Sequence, residues 1–374
     1  PAGGGPAGTG PCGVGARPDT TSAKRLLANV RAGFDAFMQD DDLAPRAMSA
    51  ARVALVFSWA TRRYFEPESN RWSEELYGWA RFLIEEHLPF DIVVAERVQQ
   101  TAALARYDLV ILPDLSNLAD AFCNMLNAYV HDGGRVLATG ATSLRDDHDV
   151  RRSDFGLAGL FGVRHCATHV TPLAVEQPDE PVPAAGTFQV VAPAGATVQR
   201  YYVSVDPAGS VSGSNDPLPM QRTDWPAEVR HVCGKGQAGY ISFDIGRYYN
   251  QHGDEHIGAW MQGTLDSLLP SRQIATNAPR TVELTIWRQS QPACTIIHLA
   301  NRSVPWTLAT YQRQITEILP VHDVEITLAS PYDDVQVSCR GADVTVIARN
   351  PALCVRIAVL HDYAAVVLRP ARAT

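Results

Sequence analysis

The densest group of side chains able to do chemistry lies in Phe65–Glu75 (FEPESNRWSEE), where Glu66, Glu68, Glu74 and Glu75 surround Trp72. Two carboxyl groups beside an aromatic platform suit a glycosidic bond, one serving as acid and the other as base or nucleophile. A retaining pair stands about 5 Å apart and an inverting pair about 6.5–9.5 Å. Glu74 and Glu75 also fall in the first turn of a helix, where the dipole favours negative charge without any catalytic role. Asp114 follows one apolar segment, and Asp244-Ile245-Gly246-Arg247-Tyr248-Tyr249 follows another. No spacing brings two of these acids together, so no catalytic residue is assigned; Glu66, Glu68, Asp114 and Asp244 stand as candidates. Trp59, Arg62, Trp72 and Arg247 are the candidates for bordering a sugar or a subunit interface, because such surfaces favour aromatic rings and guanidinium groups.

Other chemistries fit less well. Thr139-Gly140-Ala141-Thr142-Ser143 follows a strand as a nucleophile elbow would, but Ala or Thr stands at its centre and G-x-S-x-G is absent. After the first strand comes Trp59-Ala60-Thr61-Arg62-Arg63, with neither a dinucleotide fingerprint nor a P-loop, so no cofactor is expected. His148, His165 and His169 lie near Asp146, Asp147 and Asp149 without metal-binding spacing, so no metal is expected. The 7 cysteines form no C-x-x-C pair. Free thiols in a reducing, cytoplasmic setting follow, with Cys123 a buried helix residue.

The elements that would position these groups alternate. Arg52–Ser58, Phe90–Ala95, Tyr107–Pro113 and Arg135–Thr139 are continuous apolar strands, separated by helices over Ser73–His87 and Ala119–His131. That pattern predicts a doubly wound parallel sheet covered on both faces. A hairpin follows, Ala227–Cys233 and Gly239–Phe243 around Gly234-Lys235-Gly236, then a helix over Ile257–Leu269. Short strands from Val282 to Leu368 predict a small antiparallel β-sandwich. An amphipathic helix over Thr20–Met38 follows a Gly/Pro-rich start. The composition is that of a folded protein, 46% hydrophobic and 19% charged, and the net charge of −8 argues against nucleic-acid or anionic-membrane surfaces. No apolar run approaches the about 20 residues that span a bilayer.

The ordered strings RVALVFSW, HLPFDIV, ARYDLVILPDLSNLAD and YVHDGGRVLATGATSL resemble the β-galactosidase trimerisation domain, which follows the catalytic barrel of glycoside hydrolase family 42. DFGLAGLFGV, GKGQAGYISFDIGRYYNQHG and VELTIWRQ…IIHLAN…LPVHDVEITL extend the resemblance over Ala23–Leu368, closest across Val53–Val163. It implies a flavodoxin-like, class I glutamine-amidotransferase-like sheet with Gly140-Ala141-Thr142 where amidotransferases carry Cys, hence no such activity. It divides the chain into a disordered tail (1–20), a helical linker (21–45), the trimerisation domain (50–275) and a β-sandwich domain (280–370). About 50 residues before the first strand cannot hold a barrel of roughly 250. The expectation is therefore a non-catalytic C-terminal portion of a glycoside hydrolase, a fragment or a shortened gene product. It would self-associate as a homo-oligomer, up to a trimer, and border a neighbour's oligosaccharide site. Two alternatives are an active hydrolase using α/β carboxylates, and a carbohydrate-binding sandwich presenting Trp287, Trp306 and Tyr332, although strand-core packing accounts for Trp287.

Overall fold

Apolar segments too short for helices and buried on both faces become the middle of a sheet. The computed structural model describes residues 47–64, 71–169, 173–176, 181–184, 187–205, 220–302, 318–332, 334–349 and 351–371. The tail, the linker helix, Glu66, Glu68 and Trp306 lie outside the described residues. From the N-terminal side come β1 (Met48–Ser49), β2 (Val53–Phe57), α1 (Trp59–Tyr64), α2 (Arg71–Glu85), β3 (Phe90–Val94), β4 (Leu109–Leu112), α3 (Asp120–His131) and β5 (Arg135–Thr139). Next come α4 (Ala158–Phe161), β6 (Val163–His169), β7 (Leu173–Val175), β8 (Val182–Ala184), β9 (Phe188–Pro193), β10 (Thr197–Val205), β11 (Met220–Cys233) and β12 (Gly236–Ile241), with β6 and β9 paired as a separate two-stranded sheet. Two helices follow, α5 (Ile245–His252) and α6 (Glu255–Leu268).

The nine-stranded sheet runs β3-β2-β4-β5-β12-β11-β10-β7-β8. Strands β3, β2, β4, β5 and β12 are parallel. The remaining four join antiparallel, so the sheet is mixed, correcting the all-parallel expectation. The cause is the hairpin: β11 and β12 pair antiparallel across Gly234-Lys235, and β12 alone meets the parallel core. From β2 the chain crosses to β3 through α2, whereas from β4 it crosses the other way to β5 through α3. Right-handed crossovers put those two helices on opposite faces. The strand order therefore reverses between β2 and β4. On one face α2 crosses α5 with backbones in contact, because a Cβ on Gly78 would stand 1.8 Å from the Gly246 carbonyl oxygen. Trp79, Phe82, Tyr240 and Trp260 fill the surrounding core.

The C-terminal strands pair antiparallel, as expected. After β13 (Ile274–Thr276) come β14 (Val282–Ser290), β15 (Ala293–Asn301), β16 (Val321–Leu328), β17 (Val335–Arg340), β18 (Val344–Ala348), β19 (Leu353–Leu360) and β20 (Tyr363–Pro370). They form antiparallel sheets β1-β14-β15-β20-β17 and β13-β16-β19-β18, sharing a core of Leu284, Ile286, Leu299, Ile326, Val355 and Val366. Trp287 lies outside that core and is 36% exposed, which corrects the core placement expected for it: Ile286 takes the inward position of the alternation. Tyr332 packs against the shared core instead. Strand β1 pairs with β14, and Arg272 and Arg280 reach Glu86 just past α2. Among the described residues the six cysteines are free, and no helix is long and apolar enough to cross a membrane.

Candidate functional site

Each parallel strand delivers its next residues to one edge of the sheet. After β2, α1 begins at once and is latched to the loop beyond β4: the Thr61 hydroxyl donates to the Asn117 carbonyl at 3.0 Å and accepts the Asn117 N–H at 3.1 Å. The Ser58 hydroxyl, fully buried, adds a bond to Glu96 at 2.9 Å. The latch fixes the exposed face of α1. Trp59 is 50% exposed, set edge-on to Phe57 at 4.8 Å, with the Arg62 guanidinium 5.3 Å from its ring centre. Trp72 lies inward, 6% exposed and edge-on to Phe57 at 5.3 Å, so its ring presents no face to a ligand or partner.

Beyond β4, Asp114 takes a left-handed backbone conformation at φ 47° and is 1% exposed. One carboxylate oxygen accepts the Ala141 N–H at 2.5 Å, and its own N–H donates to the Thr139 hydroxyl at 2.9 Å. The acid therefore ties the β4 end to the β5 end. At the tip of the β5 turn sits Gly140, φ +57°, where a Cβ would stand 2.4 Å from Asp114 Oδ1. A nucleophilic side chain has no room at that tip.

Glu75, which its place near a helix start set aside as an ordinary dipole-favoured acid, is the most perturbed acid here. Its side chain is fully buried. Oε1 accepts from Trp79 Nε1 at 2.9 Å and from the Thr139 hydroxyl at 2.7 Å, and Oε2 accepts the Arg247 N–H at 2.6 Å. Burial, and then the Asp244 carboxylate, push its pKa from 4.5 up to about 8, against the pull of the Thr139 and Arg247 bonds. Asp244, 1% exposed, pairs with Arg247 Nε at 2.8 Å. Asp114, Asp244 and Arg247 thus meet around Glu75, where the acids couple strand ends to helices. Glycosidic cleavage needs its acid pair open to a substrate; none of the three acids, Glu75, Asp114 and Asp244, is more than 1% exposed.

The edge does carry an open crevice, a cavity of about 270 Å³ between α1 and the loops after β4 and β5. Tyr64, Asn117, Arg145, Arg151 and Gln189 border it together with Asp114. No pattern in the sequence marks Asn117, Arg151 or Gln189, since their residue types matter only once strand order brings them together. Of the three histidines, His165 bonds the Gln189 amide at 3.0 Å and is held below its ordinary pKa by burial. His169 stacks on Trp225 at 5.3 Å, and no group able to hold a metal occurs among the described residues. Burial pushes the Cys123 thiol up to about 11.

Residues 51–262 match the family described as the β-galactosidase trimerisation domain. Three solved structures share the fold. Alpha-L-fucosidase isoenzyme 2 from Paenibacillus thiaminolyticus is 21% identical, with a TM-score of 0.70 over 89% of this chain and 51% of that one. A GH42 beta-galactosidase from G. stearothermophilus is 19% identical, with a TM-score of 0.56 over 85% of this chain and 40% of that one. The beta-galactosidase from Bacillus circulans sp. alkalophilus is 13% identical, with a TM-score of 0.57 over 88% and 42%. The chain thus spans between 40% and 51% of these relatives' lengths.

Proposed function

The chain belongs to the β-galactosidase trimerisation domain family, and on that premise we propose that it is the non-catalytic, subunit-assembling portion of a glycoside-hydrolase-related protein. Its sheet serves as an amidotransferase-like scaffold from which nucleophilic chemistry is absent, because the turn tip at Gly140 is closed by Asp114. The observation that carries assembly is the outer face of α1. Trp59 and Tyr64 are 50% and 38% exposed, and the guanidinium groups of Arg62 and Arg63 lie over those rings at 5.3 and 5.6 Å. Trp, Tyr and Arg are the residues that dominate binding energy at protein interfaces, and here the thread through Asn117 holds them rigid before any partner arrives. A second copy of the chain is the partner proposed, with the same face bordering a neighbour's oligosaccharide site.

Light scattering after size exclusion, at roughly tens of micromolar so that mass action favours association, tests it. The expected result is a defined oligomer, shifted toward monomer by Trp59→Ala. A strict monomer refutes assembly. Turnover of an aryl galactoside, lost when Asp114 or Asp244 is neutralised, refutes the non-catalytic assignment.

A further inference from the structure

We propose that the crevice where the strand order reverses binds a small polyhydroxylated carboxylate, a sugar acid of monosaccharide size, with Arg151 as its anion-binding group. Open α/β sheets take ligands outside the carboxyl ends of their strands at the reversal point. The cavity lies there, bounded by Tyr64 after β2, Asn117 after β4 and Arg145 after β5. At about 270 Å³ it falls just below the range of drug-sized pockets, roughly 300–1,000 Å³, which fits one sugar ring rather than a chain.

The lining sets the chemistry. Ser116, Asn117, Thr168 and Gln189 contribute hydroxyl and amide groups, the complement of a polyol, and the partly exposed ring of Tyr64 offers a face for an apolar sugar surface. The charges divide unequally. Arg145 is neutralised by Asp149, whose carboxylate lies 3.3 Å from its guanidinium and also accepts Asn117 Nδ2 at 2.9 Å. Asp114 is occupied by the Ala141 N–H. Asp114 keeps its charge but is 1% exposed and turned to that N–H. Among the described residues the guanidinium of Arg151 has neither an ion pair nor a hydrogen bond, so it is the crevice's one guanidinium open to a ligand. A guanidinium fork is matched by a carboxylate through two parallel hydrogen bonds. Hydroxyl-binding groups on the other walls then require that carboxylate to be borne on a polyol. Every group named belongs to one chain, and Tyr64 is the one that the proposed assembly face also uses, so binding is scored on Arg151, which lies outside that face.

Calorimetric titration of the full chain with sodium D-galacturonate and D-glucuronate, beside D-galactose, acetate and inorganic phosphate, provides the test. At least one uronate binds about tenfold tighter than galactose or acetate, the worth of one good charged contact. Arg151→Ala removes about that factor for the uronate while leaving galactose unchanged, and Arg151→Lys restores part of it. Because Arg151 is exposed, its variants keep the wild-type unfolding midpoint, so lost binding reports the site and not the fold. Acetate or phosphate binding as well as the uronates marks a bare anion site and overturns the sugar-acid assignment. So does uronate binding indifferent to Arg151→Ala, or no heat from either uronate up to about 20 mM, a limit weaker than millimolar affinity.

Discussion

Replacing Glu75 by glutamine should make the stability of the α/β layer respond differently to pH, with a sign fixed by where the acid sits. In the folded chain the Glu75 pKa is about 8, against an ordinary 4.5. A raised folded-state pKa contributes stability that is complete below about pH 4.5 and is lost as pH rises through about 8, because the folded state binds the proton that the unfolded state has released. At about 1.4 kcal/mol per pH unit the interval amounts to about 5 kcal/mol, of which about 4 falls between pH 5 and pH 9. Glutamine cannot ionise, so it lacks this dependence. It carries a constant penalty of about 1–3 kcal/mol instead, since its NH2 must face one of the donors that Glu75 accepts, Trp79 Nε1, the Thr139 hydroxyl or the Arg247 N–H. Glu75→Gln is therefore the less stable protein at pH 5, and the gap closes or reverses by pH 9. Urea unfolding followed by the fluorescence of buried Trp79 and Trp260, at several pH values for both proteins, measures it. His87 and His165, both held below their ordinary pKa by burial, titrate in both proteins and cancel in the difference. A gap constant to about 0.5 kcal/mol across that range, within extrapolation error, would show that Glu75 is ionised in the folded chain and refute the burial argument.

Two further substitutions probe the scaffold. Gly78→Ala drives a methyl into the Gly246 carbonyl at the α2–α5 crossing and should cost about 3 kcal/mol or more, read as a lowered urea midpoint; an unchanged midpoint means that the helices separate freely. Gly140→Ala combines a left-handed backbone with contact against Asp114 and should cost about 2–4 kcal/mol by the same assay, whereas a neutral result would mean the turn tip can admit a side chain.

What the sequence made legible follows the range over which each signal acts. Strands β2, β4 and β5 announced themselves because a strand buried on both faces must be apolar at every position, and Arg135–Thr139 was located to the residue. The C-terminal strands showed through short apolar runs at regular spacing. Helix α5 did not show: Ile245–His252 holds two tyrosines and little else apolar, and it forms because Gly246 lets it rest against α2. Glu75 resembled an ordinary first-turn acid because its partners Thr139 and Arg247 stand 64 and 172 residues away. Trp72 and Trp59 have the same residue type and flank the same Phe57, and only the packing separates a core ring from a surface one.

The pairing of Asp114 with Gly140 decides what this edge of the sheet can do. A strand-end turn exposes whatever side chain stands at its tip, and acyl-transfer sites on α/β sheets use that exposure to present a nucleophile. Here the carboxylate of Asp114 occupies the volume that such a side chain would need and spends its oxygen on the Ala141 N–H. The turn is thereby stiffened and left chemically silent. The crevice opens beside this turn, with Asp114 and Ala141 among its lining residues. If the crevice holds a small ligand and Trp59 and Arg62 meet a neighbour, as proposed, Gly140 brings no side chain to the tip that could attack either.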